Sequence, residues 1–309
     1  MKDIAVIMIN YNTSKYTLEC IQAVITKTSE VISYEIIVVD NNSELSDYQK
    51  LKENFPKQSN ISLHRSFINT GFGGGNMFGA QFAKARYLLF LNNDALLKND
   101  CLNISYRFME EHQKVGVCTA QNFNENDEFV PSFDHDKGMR RLLFGRSFQE
   151  KMNPKKYPKR KHEYTSPIEV SWVSGAFLFF RKDAFEKIGG FDTNIFLYWE
   201  EMDLGRRLRK NGYSSVLVPE AAFLHYQQKS SGFSKAINKE AKLSELYVLK
   251  KHYSFLHYKV IQIYYIFTLL FKPGEWYLLP VVWRGGSLKH SLKQQQTIRF
   301  LPVEKITHE

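Results

Sequence analysis

The chain has 309 residues and a formal net charge of +10, with ordinary apolar, aromatic and charged fractions that leave room for a sizeable core. That length suits one large α/β domain with an extension, or two small domains, and no stretch reaches the roughly 18 to 20 apolar residues needed to span a bilayer. Three cysteines, Cys20, Cys101 and Cys118, form no CxxC pair, which argues against a disulfide framework and for reduced, buried thiols in a cytoplasmic protein.

Residues 4–9 are apolar but too few for a signal-peptide core, and they read as a first strand buried on both faces. This strand ends in Asn10-Tyr11-Asn12, after which Thr13 or Ser14 can cap a helix reaching about residue 27. A second strand over 35–39 ends in Asp40-Asn41-Asn42-Ser43 and precedes a helix over 44–55. A third strand lies near 61–64. It leads to a glycine-rich loop, Asn69-Thr70-Gly71-Phe72-Gly73-Gly74-Gly75-Asn76, and a helix over 76–85. The fourth strand, 87–91, closes on Asn92-Asn93-Asp94, and a helix over 101–112 and a strand over 115–120 follow. Strands separated by helices imply a parallel sheet with right-handed crossovers. Ligands bind beyond the carboxyl ends of such strands, so three polar clusters on one rim make a binding edge.

The alternation breaks down between residues 123 and 167. Between 137 and 161, Lys137, Arg140, Arg141, Arg146, Lys151, Lys155, Lys156, Lys159, Arg160 and Lys161 face one acid, Glu150. This basic segment suits a solvated mobile loop, a gate over an acceptor site or a contact for anionic lipid; no nucleic-acid recognition motif accompanies it. Regular structure resumes over 169–181, with a helix near Lys182, a second over 202–211 closed by Gly212, and a strand over 214–219. Beyond His225 the chain reads as helical and tyrosine-rich. Its stretch 243–283, with Pro273, Trp276 and Trp283, suits either a helix pair packed on the core or an interfacial anchor at an anionic membrane surface.

Several clusters carry chemistry. The carboxylate of Asp40 can accept the imide N–H of uracil or thymine or the N–H edge of guanine; it can equally cap the next helix. The glycines can admit a diphosphate to a helix N-terminus. A dinucleotide fingerprint is disfavoured, because Asn76 replaces the third glycine and the loop follows the third strand. Oxygen ligands at Asn92 to Asp94 suit Mg2+ or Mn2+, with substrate phosphates completing a site that has one carboxylate. Glu200, Glu201 and Asp203 open a helix beside Trp172, Tyr198 and Trp199, where burial would raise one carboxyl towards a useful general base. His225, ahead of Lys229, Ser230 and Ser231, is either structural or a metal ligand.

In order, Asn10-Tyr11-Asn12, Asp40-Asn41-Asn42-Ser43, the Asn69–Asn76 stretch, Asn92-Asn93-Asp94, Ser174-Gly175-Ala176 and Glu200-Glu201-x-Asp203-Leu204 resemble the family 2 glycosyltransferases. Within that family the chain looks most like the bacterial rhamnosyltransferase-type branch, over roughly residues 4–230. The resemblance implies a GT-A fold (an α/β, Rossmann-like, mostly parallel sheet flanked by helices) over 1–230, with a basic insertion at about 134–167 and a helical extension over 231–309. It implies an inverting transfer from a UDP- or dTDP-sugar, with rhamnose favoured, to a glycan or lipid-linked glycan in bacterial cell-surface polysaccharide assembly. On that basis the donor is expected at Asn10, Tyr11, Asn12, Asp40, Asn42, Asn69, Gly71, Gly74, Asn76, Asn92 and Asn93. The acceptor is expected at Trp172, Ser174, Gly175 and Trp199, and a divalent metal at Asp94, Asn92 and His225. Glu201 takes the place of the catalytic carboxylate, with Glu200 its rival and Asp203 third. Two positions depart from the family pattern: Asn92 replaces the first aspartate of Asp-x-Asp, and Glu200-Glu201 replaces Glu-Asp. A catalytically silent nucleotide-sugar-binding subunit and a sugar nucleotidyltransferase are the competing functions, and release of nucleoside diphosphate rather than pyrophosphate separates them.

Overall fold

The computed structural model of the protein describes residues 1–226 and 234–301. Its first half alternates β1 (Lys2–Asn10), α1 (Ser14–Lys27), β2 (Tyr34–Asn41), α2 (Leu45–Glu53), β3 (Ile61–Ser66), α3 (Gly71–Ala80) and β4 (Ala85–Leu91). Next come β5 (Ala95–Leu97), α4 (Cys101–Glu111), β6 (Val115–Phe123), β7 (Phe129–Val130), β8 (Phe133–Asp134) and α5 (Met139–Met152). The second half holds β9 (Ile168–Val170), β10 (Trp172–Val173), β11 (Phe177–Arg181), α6 (Lys182–Lys187), α7 (Glu200–Lys210) and β12 (Ser214–His225). The extension is α8 (Lys235–His252), α9 (Phe255–Leu270), a 3-10 turn at Pro273–Leu278 and α10 (Leu279–Trp283).

The main sheet runs β3-β2-β1-β4-β11-β6-β12-β5. Strands β1 to β4 are parallel, as continuous apolar runs buried on both faces require. The sheet is mixed, however, because β11 enters antiparallel between β4 and β6. The apolar run expected over 169–181 is divided among β9, β10 and β11, and these pair with different partners. Helices α1, α2 and α4 cover one face through Ile21, Val24, Leu51 and Leu102; α3, α6 and α7 cover the other through Met77, Phe185, Leu204 and Leu208. All three cysteines are free and buried.

Two local expectations change. Helix α3 starts at Gly71, so the glycine run is helix and not loop. The reason is close packing: a Cβ on Gly75 would lie 2.9 Å from the Ile9 side chain, and one on Gly79 would lie 2.6 Å from that of Ile7. The basic segment contains the 14-residue helix α5, kinked at Gly145 (φ 80°), rather than irregular chain. Its cations find acids outside residues 137–161, just before them and far beyond. Asp134 binds Arg141 at 3.0 Å and Arg146 at 2.9 Å, and Lys137 pairs with Glu245 of α8.

The extension has its own apolar cluster, in which Leu246, Leu249, Ile261 and Tyr265 meet Ile195 and Met202. No helix among the described residues is long and apolar enough to cross a membrane. Beyond α10 the chain returns to the sheet rim. Buried Glu240 of α8 accepts from the Ser291 hydroxyl (2.7 Å) and the Leu292 amide (2.8 Å). Farther on, the Arg299 amide donates to the Phe67 carbonyl (2.8 Å), the Asn42 amide donates to the Thr297 carbonyl (3.0 Å), and Arg299 pairs with Glu44 at 2.6 Å.

Candidate active site

A cavity of about 460 Å³ opens where the carboxyl ends of β1, β2 and β4 meet the start of α7. On the rim side it is walled by Tyr11, Asn69, Gly71 and Asn76, then Asn92 and Asn93. Ser174, Gly175, Glu200, Glu201 and His225 complete the expected residues in its wall. Asn10, Asn12, Asp40, Asn42, Gly74, Asp94, Trp172, Trp199 and Asp203 stand outside that lining.

The exclusions have physical causes. Asp40 is fully buried, and its oxygens accept from Asn10 (2.9 Å), the Ser43 amide (3.3 Å) and Arg65 (2.6 Å). Burial pushes its carboxyl up, while Ser43, Asn10 and Arg65 hold it back. In this arrangement Asp40 is buried behind the rim, and its oxygens are engaged by Asn10, Ser43 and Arg65. Arg65, which the sequence did not single out, also donates to the Ser43 carbonyl and lies 4.3 Å above the Tyr48 ring. The Asn10 amide bridges Asp40, Ser43 and Asp47; Asn12 accepts from the Glu44 amide at 2.8 Å, and Asn42 holds Thr297. These asparagines shape the rim from behind. A Cβ on Gly74 would meet Thr70 at 2.7 Å, so this glycine answers its own helix turn. At the start of α3 the Gly71 amide already donates to Asn69 and the Phe72 amide to the Phe196 carbonyl, which leaves less of the expected phosphate cradle.

Trp172 and Trp199 pack into the extension's apolar cluster, where a large ring removes more surface from water than it would at a polar cleft. Lys137 of the basic segment lies 5.2 Å over the Trp199 ring. Asp203 is fully buried among Arg207 (2.6 Å), Lys251 (2.8 Å) and His252 (2.7 Å). Burial alone would raise its carboxyl, but the His252 hydrogen bond and the cations hold it well below the ordinary range. It ties α7 to α8.

Glu200 and Glu201 are different. Tyr198 (φ 69°) and Trp199 (φ 74°) are consecutive left-handed residues, and they turn the chain sharply into α7 so that both carboxylates reach the cavity. Such conformations cost about 1–3 kcal/mol each and persist where the surroundings fix them. Glu200 is buried, with Oε1 lacking a partner; burial first, and the charge of Glu201 second, push its carboxyl well up. Glu201 is half-buried and accepts the Gly175 amide at 3.1 Å. Burial raises its carboxyl too, and that amide bond favours the charged form. Both carboxyls are thus raised by burial, and the geometry separates them: Glu201 has the Gly175 amide to favour its charged form, whereas Glu200 Oε1 has no partner.

Opposite chemistry gathers at Asn92, Asp94 and His225. The imidazole Nε2 lies 3.0 Å from the Asp94 carboxylate and 3.4 Å from the Asn92 amide. Among the described residues no group of three or more His, Cys, Asp or Glu could hold a metal. One carboxylate, one imidazole and one amide oxygen fit a hard divalent ion only if further oxygen ligands, such as phosphates, complete its shell. Asn93 is committed elsewhere, donating to Thr13 (2.7 Å) and Thr17 (2.8 Å). The extension also enters the wall through Ile237, Leu292 and Gln296, which no local pattern marked. No Lys or Arg lines the cavity among the described residues, and the segment with Lys229, Ser230 and Ser231 lies outside them.

Residues 5–189 match the family described as Glycosyl transferase family 2. The chain belongs to that family. It is a glycosyltransferase, and it is 29% identical over 231 residues to the rhamnosyltransferase WbbL of Escherichia coli, covering 71% of this chain and 83% of that one. It is also 38% identical over 100 residues to the N-acetylglucosaminyl-diphospho-decaprenol L-rhamnosyltransferase of Mycobacterium tuberculosis, a match covering 32% of this chain and 29% of that protein. Among solved structures, the mannosyltransferase PcManGT of Pyrobaculum calidifontis, in complex with GDP-Man and Mn2+, aligns with a TM-score of 0.54 at 15% identity. That alignment covers 92% of this chain and 76% of the other, and it bears on the fold alone, which is GT-A.

Proposed function

We propose that this glycosyltransferase performs an inverting transfer of a sugar, rhamnose by likeness to the two rhamnosyltransferases named above, from a UDP- or dTDP-sugar to a hydroxyl of a lipid-linked glycan. The work would take place at the inner face of the cytoplasmic membrane, in cell-surface polysaccharide assembly. The observation that carries the mechanism is the unequal pair in one cavity: Glu201, anchored by the Gly175 amide, beside buried Glu200, whose Oε1 has no partner.

Glu201 acts as general base. With one oxygen held by the Gly175 amide, the other takes the acceptor proton as the acceptor oxygen attacks the anomeric carbon. The nucleoside diphosphate departs from the opposite face, so configuration inverts. Asn92, Asp94 and His225 would hold Mg2+ or Mn2+, which supplies charge neutralisation for the departing diphosphate. Asp203 positions α7 and carries no proton, because its cations keep it charged. Tyr11, Asn69 and Asn76, which line the cavity, take donor contacts, with Asp40 buried behind them.

Thermal-shift screening of UDP-, dTDP- and GDP-sugars, with and without Mn2+, tests the donor class, since a ligand binding the native state raises stability. A rise with a UDP- or dTDP-sugar that grows with Mn2+ is expected, together with release of nucleoside diphosphate on turnover. Release of pyrophosphate, or no response to any nucleotide sugar, would refute the proposal.

A further inference from the structure

Helix α9 is mostly apolar, with His257 and Lys259 exposed near its start, yet one of its apolar rows has no protein partner among the described residues. Tyr258, Ile261, Tyr265 and Leu269 are buried in the extension's cluster. Leu256, Val260, Ile263, Phe267 and Leu270, spaced four and three apart, form an opposite row that is 43% to 73% exposed. A soluble helix normally turns polar groups outward, so this row needs an occupant. Trp276 and Trp283, on the turn and helix that follow, are also exposed.

Helix α5 lies beside it. The Tyr264 hydroxyl of α9 donates to the Leu142 carbonyl at 2.7 Å, and Met139 and Leu142 pack against the same cluster. Yet Leu143, Phe144, Phe148 and Met152 of α5 are exposed. The chain leaving α5 carries Lys155, Lys156, Lys159 and Lys161, all exposed and without ion pairs among the described residues. Two exposed apolar rows on helices that meet at Tyr264 and Leu142, with exposed lysines following α5 in the chain, match a bilayer with an anionic surface: rings and aliphatic groups enter the acyl boundary, while ammonium groups remain with the headgroups. A second copy fits worse. A two-fold contact through the same patch would bring two sets of lysines together.

We infer that α5, α9 and the two tryptophans form one composite docking face for an anionic membrane, which gives the basic segment a role beyond its internal ion pairs. The inference deepens the proposal of a lipid-linked acceptor and rests on it for its purpose, while its test is independent of catalysis. Flotation of the full chain with phosphatidylcholine vesicles, with and without phosphatidylglycerol, is the measurement. Three forms are compared: the natural chain, Ile263→Ser with Phe267→Ser, and Lys155→Glu with Lys156→Glu and Lys159→Glu. The natural chain should float with phosphatidylglycerol vesicles, and each variant should bind them at least about tenfold more weakly. Both variants should melt like the natural chain and keep its thermal response to nucleotide sugar, since the substituted groups are exposed and outside the cavity.

Equal binding of all three forms, no binding by the natural chain, or indifference to phosphatidylglycerol would overturn the inference. So would a natural dimer in light scattering that the serine variant dissociates. Flotation without any nucleotide-sugar response would support the face and count against the proposed function.

Discussion

Replacing Glu201 by Gln removes the proposed base with little else disturbed. The amide oxygen of Gln can still accept from the Gly175 N–H, which the carboxylate does at 3.1 Å, so the start of α7 keeps its anchor. General-base catalysis contributes about a hundredfold to ten-thousandfold, or about 2.7 to 5.4 kcal/mol of barrier at 1.36 kcal/mol per decade. The expected loss in kcat is therefore at least about a hundredfold. Donor affinity, measured by thermal shift, should hold. The sign of the pH dependence follows from the raised carboxyl. Glu201 accepts a proton only when ionised, so the rate climbs with pH through a value above the ordinary glutamate 4.5, and this acid limb vanishes in the Gln variant. Removing the Glu201 charge takes away the second cause of the raised Glu200 carboxyl and leaves the first, burial, in place. The assay is continuous release of nucleoside diphosphate from pH 5 to pH 9 (a range of roughly two decades of ionisation either side of neutrality). A Gln variant within threefold of the natural rate (roughly 0.65 kcal/mol), or one that keeps the acid limb, would refute the assignment and shift attention to Glu200.

Other consequences follow from the same geometry. Arg65→Ala leaves the Asp40 carboxylate buried without its cation and should cost about 3–5 kcal/mol in urea unfolding. That cost should shrink as acid protonates Asp40, whose folded pKa is already raised and would rise further. Gly175→Ala would place a Cβ 2.4 Å from the Glu201 Oε1, so kcat should fall about tenfold or more, while the melting temperature changes little because the carboxylate end can swing aside. His225→Ala should abolish the part of the nucleotide-sugar thermal shift that depends on Mn2+ and spare the metal-independent part, read by the same melting assay.

The sheet was legible because strands buried on both faces print as unbroken apolar runs, and residues 4–9, 35–39 and 87–91 each lie within an observed strand. The antiparallel entry of β11 was not, since its neighbours β4 and β6 are chosen by tertiary pairing that Phe177 to Arg181 do not encode locally. The glycine run misled for a similar reason. Gly75 and Gly79 are small so that α3 can approach Ile9 and Ile7 of β1, a contact invisible within the run itself. Charge in the basic segment looked unbalanced because its acids, Asp134 and Glu245, lie before and far beyond the stretch. At the site, clustering of motifs brought Asn92, His225, Glu200 and Glu201 to one cavity. Motifs alone could not tell residues in the wall from those behind it. Asp40 and Asp203 sit in strongly polar stretches, but their oxygens are spent on Arg65, Arg207, Lys251 and His252.

The returning segment near Arg299 has a consequence for the order in which the protein becomes competent. Thr297 meets Asn42 across 255 residues of chain, and Leu292 and Gln296 complete the cavity wall. During synthesis the sheet has all its strands once His225 has emerged, whereas the rim closes only when Arg299 does. At about 5–20 residues per second that interval lasts roughly 4 to 15 seconds. Through it the nascent chain carries both carboxylates beside a cavity that still lacks the wall contributed by Leu292 and Gln296.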